Sequence, residues 1–129
     1  MPICARTSTM TRLLQWSLLS LSLCLGTAVS AGKYAPTSVD MEIKKVSEHV
    51  YYVEGKPGIA TDNEGFISNA GFVVTDDGVV VFDSLGTPSL AHKLVQQIKT
   101  VTDQPVKKVV VSHFHADHIY GLQAFEELG

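Results

Sequence analysis

Apolar and polar positions change their rhythm several times along this chain, and each rhythm predicts an element. Val50, Tyr51, Tyr52 and Val53 favour a pleated surface, so Met41 to Val46 and His49 to Glu54 read as two short strands, or one strand broken at Ser47. Gly55-Lys56-Pro57-Gly58 opens a stretch of turn formers that runs to Gly65 and predicts a loop. Phe66 to Thr75 and Val79 to Phe82 are β-prone runs separated by Asp76-Asp77-Gly78, which predicts a hairpin. Leu90, Leu94, Val95, Ile98 and Val101 then recur at helical spacing, with Thr87 as N-cap, Pro88 in the first turn and Pro105 closing the segment. His92 and Lys93 fall off that apolar face, and His92 is expected in solvent. Val106 to Val111 is a β-branched run short enough for a buried strand, and Leu122, Phe125 and Leu128 sit at helical spacing for packing inward. Strand, helix, strand argues a right-handed crossover onto a partly parallel sheet.

The first thirty or so residues break with this pattern. Arg6 and Arg12 precede an apolar run from Leu13 to Leu25, and Val29-Ser30-Ala31 supplies small residues for cleavage, the organisation of a signal peptide over residues 1–31. The run is shorter than the roughly twenty residues a spanning helix needs, and Gln15 and several serines interrupt it, so no stable membrane insertion is expected. Leu23 before Cys24 is bulkier than the residue a lipid-attachment signal would place there. Export to the periplasm or the medium is the expectation. Residues 32–40, polar and containing Pro36, read as a flexible lead-in, and residues 41–129 as the domain.

Composition then narrows the class. The chain has 129 residues, 45% hydrophobic and 18% charged, an ordinary soluble composition with room for one core. Without the leader, eight basic residues face thirteen acidic ones, a formal charge of −5, and no basic patch invites nucleic acid. Cys4 and Cys24 both lie in the leader, leaving the domain neither a disulfide nor a thiolate for a metal. No pattern speaks to oligomeric state.

The chemistry concentrates in His113-Phe114-His115-Ala116-Asp117-His118, directly after the valine strand. Imidazole and carboxylate together suit zinc and related divalent metals, and loops at strand ends commonly carry function. Side chains alternate in an extended backbone, so His113 and His115 point the same way and can grip one ion. Asp117 and His118 lie where the chain bends into a helix expected near Ile119, free to reach a second ion or to act as acid, base and ligand. Capping or backbone hydrogen bonding is the structural alternative for a lone histidine. Four such groups packed together fit it poorly, because each polar group buried without a partner costs about 1–3 kcal/mol. His49 reads as a surface strand residue.

His-x-His-x-Asp-His after a hydrophobic strand resembles the signature of the metallo-β-lactamase superfamily of metallo-hydrolases, and the likeness extends over Val46 to Leu128. The resemblance implies an α/β fold, the first half of an α/β/β/α sandwich, with a mixed sheet and helices on one face. It implies that His113 and His115 hold a first zinc, Asp117 and His118 a second, and that Asp117 is catalytic by orienting the attacking hydroxide. Zinc would bring the pKa of its water near 7 and stabilise the developing oxyanion. Asp83 matches a strand-ending Asp that orients a ligating His, with a loop cap as its structural alternative. Asn69 matches an Asn that orders the surroundings of the site, or else is a strand residue at a bulge near Gly71. Lys56 to Glu64 corresponds to a loop beside the active-site mouth or to an inert connection. Relatives often carry a Gly pair where this chain has Tyr120-Gly121.

The implied function is an exported zinc-dependent hydrolase acting on a carbonyl-type small molecule. A glyoxalase II-like thioesterase, or an iron-dependent sulfur-compound enzyme of the same fold, uses the same four ligands and stands beside it. The non-enzyme alternative is an inactive metal-binding fragment. The chain stops eleven residues after His118, ahead of the ligands that complete such sites, so truncation at Gly129 and negligible activity of the isolated chain are expected.

Overall fold

The computed structural model describes residues 33–128, which lie within one compact unit spanning Ala31–Gly129. The leader expected over residues 1–31 lies outside the described residues. Eight elements follow one another: β1 (Ile43–Lys45), β2 (Val50–Val53), β3 (Ala70–Thr75), β4 (Gly78–Phe82), α1 (Pro88–Ile98), β5 (Val106–Val110), α2 (Ala116–Ile119) and α3 (Leu122–Glu126). The strands form one sheet in the order β1-β2-β3-β4-β5, antiparallel as far as β4 and parallel between β4 and β5.

The hairpin predicted around Asp76-Asp77-Gly78 is the centre of this sheet. Thr75 Oγ1 accepts from the Asp77 amide and donates to the Gly78 carbonyl, closing the turn, and Gly78 takes φ +133, which only glycine adopts without strain. The preceding Phe66 to Asn69 is turn rather than strand, because Asn63 bonds the Phe66 carbonyl and holds the segment in a loop.

One face of the sheet makes the core. Val53, Ala70, Phe72, Val79 and Val81 are buried against Leu90, Ala91, Leu94, Val95 and Ile98 of α1 and Ala124 and Phe125 of α3. Thr87 caps α1 through Leu90 N–H, with Pro88 in the first turn, as its sequence predicts. Each large side chain removed from water here contributes about 1.5–3 kcal/mol, so this face dominates folding. The opposite face leaves Phe82 and Val110 45% and 38% exposed. The mixed sheet with its helices on one face is therefore as expected.

Four expectations are corrected. β5 is not a buried strand, since among the described residues it has β4 as its only sheet neighbour, and it exposes Lys107, Lys108 and Val110. Leu128 remains 47% exposed because α3 ends at Glu126, before the residue completes its turn. Residues 33–40 are docked rather than loose: Val39 and Met41 are buried, Lys33 and Tyr34 bond Glu127, and Ser38 bonds Glu64. Lys93 donates to the Val39 carbonyl, and His92 is half-buried near Tyr34 rather than solvated. His49 is exposed, in the turn before β2.

Candidate metal centre

Parallel pairing builds the site. It sets the C-terminal ends of β4 and β5 side by side, and the ladder continues one bond further, with Asp83 N–H donating to Val110 O at 2.8 Å. Ligands in α/β sheets gather at such strand ends. Beyond the bond, Asp83 turns to φ +63 and Leu85 to φ +66, so the chain leaves the sheet abruptly. Asp tolerates this left-handed geometry better than most residues, whereas Leu85 is held in it by full burial.

The Asp83 carboxylate is the hub of the site. It accepts from Ser112 N–H at 2.7 Å, from the Ser112 hydroxyl at 2.8 Å, and from His118 Nδ1 at 2.8 Å. Burial pushes its pKa up, but these bonds from Ser112 and His118 outweigh it and hold the carboxyl below the usual range. An ionised carboxylate only accepts, so Nδ1 of His118 carries a proton in this bond, and Nε2 is the nitrogen turned toward Asp117.

Helix α2 carries the second half of the motif. It begins at Ala116, three residues before the helix start expected near Ile119, so Asp117 and His118 lie inside a helical turn. Two serine hydroxyls hold its carbonyls: Ser68 donates to Asp117 O, and Ser84 to His118 O at 2.9 Å, with Ser84 N–H on the same oxygen. Gly121 closes the connection to α3. A Cβ there would stand 1.9 Å from the Ser84 carbonyl oxygen and 2.7 Å from Ala91 Cβ, so no larger residue fits. Position 120 has no such demand, and Tyr120 is exposed. The half of the glycine pair that this chain keeps is the half its packing requires.

Around this frame four side chains converge as two facing pairs. His113 Nε2 stands 2.9 Å from His115 Nδ1, and His118 Nε2 stands 3.4 Å from Asp117 Oδ2. The His113 and His118 rings are 4.1 Å apart between centroids, which puts the two pairs next to each other. Two ligands of a tetrahedral zinc, each about 2.0–2.1 Å from the ion, stand roughly 3.3 Å apart. Both pairs lie within a few tenths of an ångström of that spacing, and both consist of donors zinc accepts. Among the described residues, no group of three or more His, Cys, Asp or Glu side chains forms a ready-made cage. The donor set fits two half-sites rather than one closed one.

The expected residues divide accordingly. His113, His115, Asp117, His118 and Asp83 are brought together. Asn69 is not among them: its Oδ1 accepts from Gly55 N–H at 2.9 Å and ties the end of β2 to the start of β3. In the Lys56 to Glu64 loop, Asn63 bonds the Lys56 carbonyl and Glu64 bonds Ser38, while Gly65 just beyond packs against Gly86 next to Asp117. Ser112, Ser68 and Ser84 are not among the residues that the sequence singles out. Ser112 stands directly before a ligand-type His, but its partner is set only by the parallel pairing of β4 and β5.

Comparison with known proteins identifies the family. The profile of the metallo-beta-lactamase superfamily matches residues 63–129, just over half of the chain. A linear primary-alkylsulfatase from Pseudomonas sp. (strain ATCC 19151) is 33% identical over 49 residues, covering 38% of this chain and 9% of that protein. Among solved structures, a metallo-beta-lactamase from Pontibacter korlensis superimposes with a TM-score of 0.58 at 26% identity, over 68% of this chain and 40% of its own. A double mutant of the sec-alkyl sulfatase PisA1 gives a TM-score of 0.53 at 25% identity, over 66% of this chain and 12% of its own. The chain thus spans less than half the length of each of these relatives.

Proposed function

Because the chain belongs to the metallo-beta-lactamase superfamily, we propose that His113, His115, Asp117 and His118 hold a divalent metal centre, one or two zinc ions, for hydrolysis of a small-molecule substrate. The observation that carries this reading is the pair of facing donor sets, His113 Nε2 with His115 Nδ1 and His118 Nε2 with Asp117 Oδ2. A bound divalent cation supplies Lewis acidity and makes water a competent nucleophile near neutral pH. The chain's own residues supply the rest. Asp83 keeps the His118 ring oriented with Nε2 free, and the carboxylate of Asp117 neutralises charge and accepts a hydrogen bond from the attacking water. The backbone of α2, clamped by Ser68 and Ser84, fixes both. Export through the leader in residues 1–31 is part of the same proposal and rests on the sequence.

Cobalt(II) titration of the full chain tests the centre. Visible absorption bands of cobalt bound by imidazole and carboxylate are expected, reduced in His115→Ala and again in Asp117→Ala. A chain that binds neither cobalt nor zinc overturns the reading.

A second reading concerns substrate. Carbonyl compounds are the general expectation for such a centre, thioesters among them, and iron serves sulfur-compound enzymes of the same fold. The matches to two alkyl sulfatases favour a sulfate ester instead. Assay of the zinc-loaded protein with a primary alkyl sulfate, a thioester and a β-lactam ranks the classes. Whatever residual turnover the chain shows is expected as sulfate release first; hydrolysis of the thioester or the β-lactam without sulfate release overturns this second reading.

A further inference from the structure

Ser112 ends β5 beside Asp83, and proton counting gives its hydroxyl a definite task. Its oxygen lies 2.8 Å from Asp83 Oδ2 and 2.9 Å from His113 Nδ1. A hydroxyl has one proton, and an ionised carboxylate has none to give. The serine proton therefore goes to Asp83, and the serine oxygen accepts from Nδ1–H of His113. That fixes His113 as the Nδ1–H tautomer, with its lone pair on Nε2, the nitrogen that faces His115. His118 reaches the same tautomer by bonding Asp83 directly.

We propose that Ser112 is a positioning residue that relays the charge of Asp83 to His113, so that one carboxylate presents the Nε2 lone pairs of both half-sites. The consequence falls on His115. Since His113 Nε2 is a lone pair, the 2.9 Å bond between the two rings is donated by His115 Nδ1–H in the metal-free chain. His115 has to carry its proton on Nε2 before Nδ1 can ligate, whereas His113 and His118 are already prepared. The inference rests on the metal reading for its purpose. The tautomers themselves belong to the metal-free protein.

The test is nitrogen-15 NMR of the histidine rings in the full, metal-free chain near pH 8, where imidazoles are neutral, together with competitive zinc titration. His113, His115 and His118 are each expected as a single Nδ1–H tautomer. Ser112→Ala keeps the backbone N–H on Asp83 and removes only the relay. His113 should then become a tautomer mixture, His118 should stay as it was, and zinc affinity should fall about tenfold, in line with loss of a group that orients a ligand. Ser112→Thr should restore both signals. An unchanged His113 in Ser112→Ala overturns the relay. So does a variant in which His118 changes as much as His113, because the serine would then act on the loop as a whole. Wild-type protein that shows these tautomers and fails to bind zinc overturns the metal reading and leaves the relay standing.

Discussion

His118 and His115 are the same side chain three residues apart, and the fold treats them in opposite ways. The His118 side chain is 18% exposed, its Nδ1 is held by a carboxylate that is itself 13% exposed, and its carbonyl is gripped by both the amide and the hydroxyl of Ser84. His115 is exposed, caps α2 without a side-chain bond, and touches little besides His113 and the 80% exposed Phe114. One half-site is thus built by the scaffold, and its order is part of the folding free energy. The other reaches the scaffold only through His113, by way of Ser112 and the His118 ring, and its His115 gains nothing for the core. Stability and metal affinity should therefore separate between the two halves.

The largest effect should come from Gly121, where α3 leans on the loop that holds His118. Gly121→Ala drives a methyl into the Ser84 carbonyl and Ala91. Both are backbone or core atoms that cannot swing away, so a loss of at least about 3 kcal/mol is expected in denaturant unfolding. A loss below about 1 kcal/mol would mean that the loop yields easily, and the contrast between a rigid and an open half-site would fall with it.

Next comes a paired measurement. Asp83→Asn keeps a residue that tolerates the left-handed backbone but replaces an acceptor of three bonds with an amide, leaving at least one donor unmatched, a cost of about 1–3 kcal/mol. His115→Ala removes an exposed ring and should stay within about 0.5 kcal/mol of wild type. Zinc binding should nonetheless weaken about tenfold or more in both. If His115→Ala destabilises as much as Asp83→Asn, the two half-sites are equally part of the core.

The same contrast explains what was legible in the sequence. Elements that form by periodicity and local chemistry were readable: the Asp76-Asp77-Gly78 hairpin, the Thr87-Pro88 start of α1 and its buried stripe. The motif residues were readable because imidazoles and a carboxylate are rare in such density. The supporting shell was not, since a serine carries no signal of its partner until the parallel register brings Ser112 to Asp83 or Ser84 to His118. Burial of β5 was misjudged for a related reason. A valine run reports the potential to be covered, and the covering has to come from elsewhere. Leu128 failed likewise, because helical spacing holds only while the helix continues.

The smallest effect lies at the far end of this support. Gly65 packs against Gly86 beside Asp117, and its neighbour Glu64 is tied to the segment before β1 by Ser38, whose N–H donates at 3.0 Å and whose hydroxyl donates as well. The Ser38 hydroxyl, foremost, holds the Glu64 carboxyl below its ordinary pKa. A carboxyl whose pKa is lowered in the folded state stabilises that state above the ordinary glutamate range and loses the contribution as pH falls through the lowered value. Glu64→Gln should therefore lower the melting temperature slightly at neutral pH, and the two melting curves should converge on acidification. Because Glu64 is exposed, added salt should shrink the gap as well. A gap that keeps its size from neutral to acid pH would assign the effect to shape rather than charge. The loop beside Asp117 would then be held by packing alone, unlike the His118 half-site, which Asp83 and Ser84 hold by hydrogen bonds.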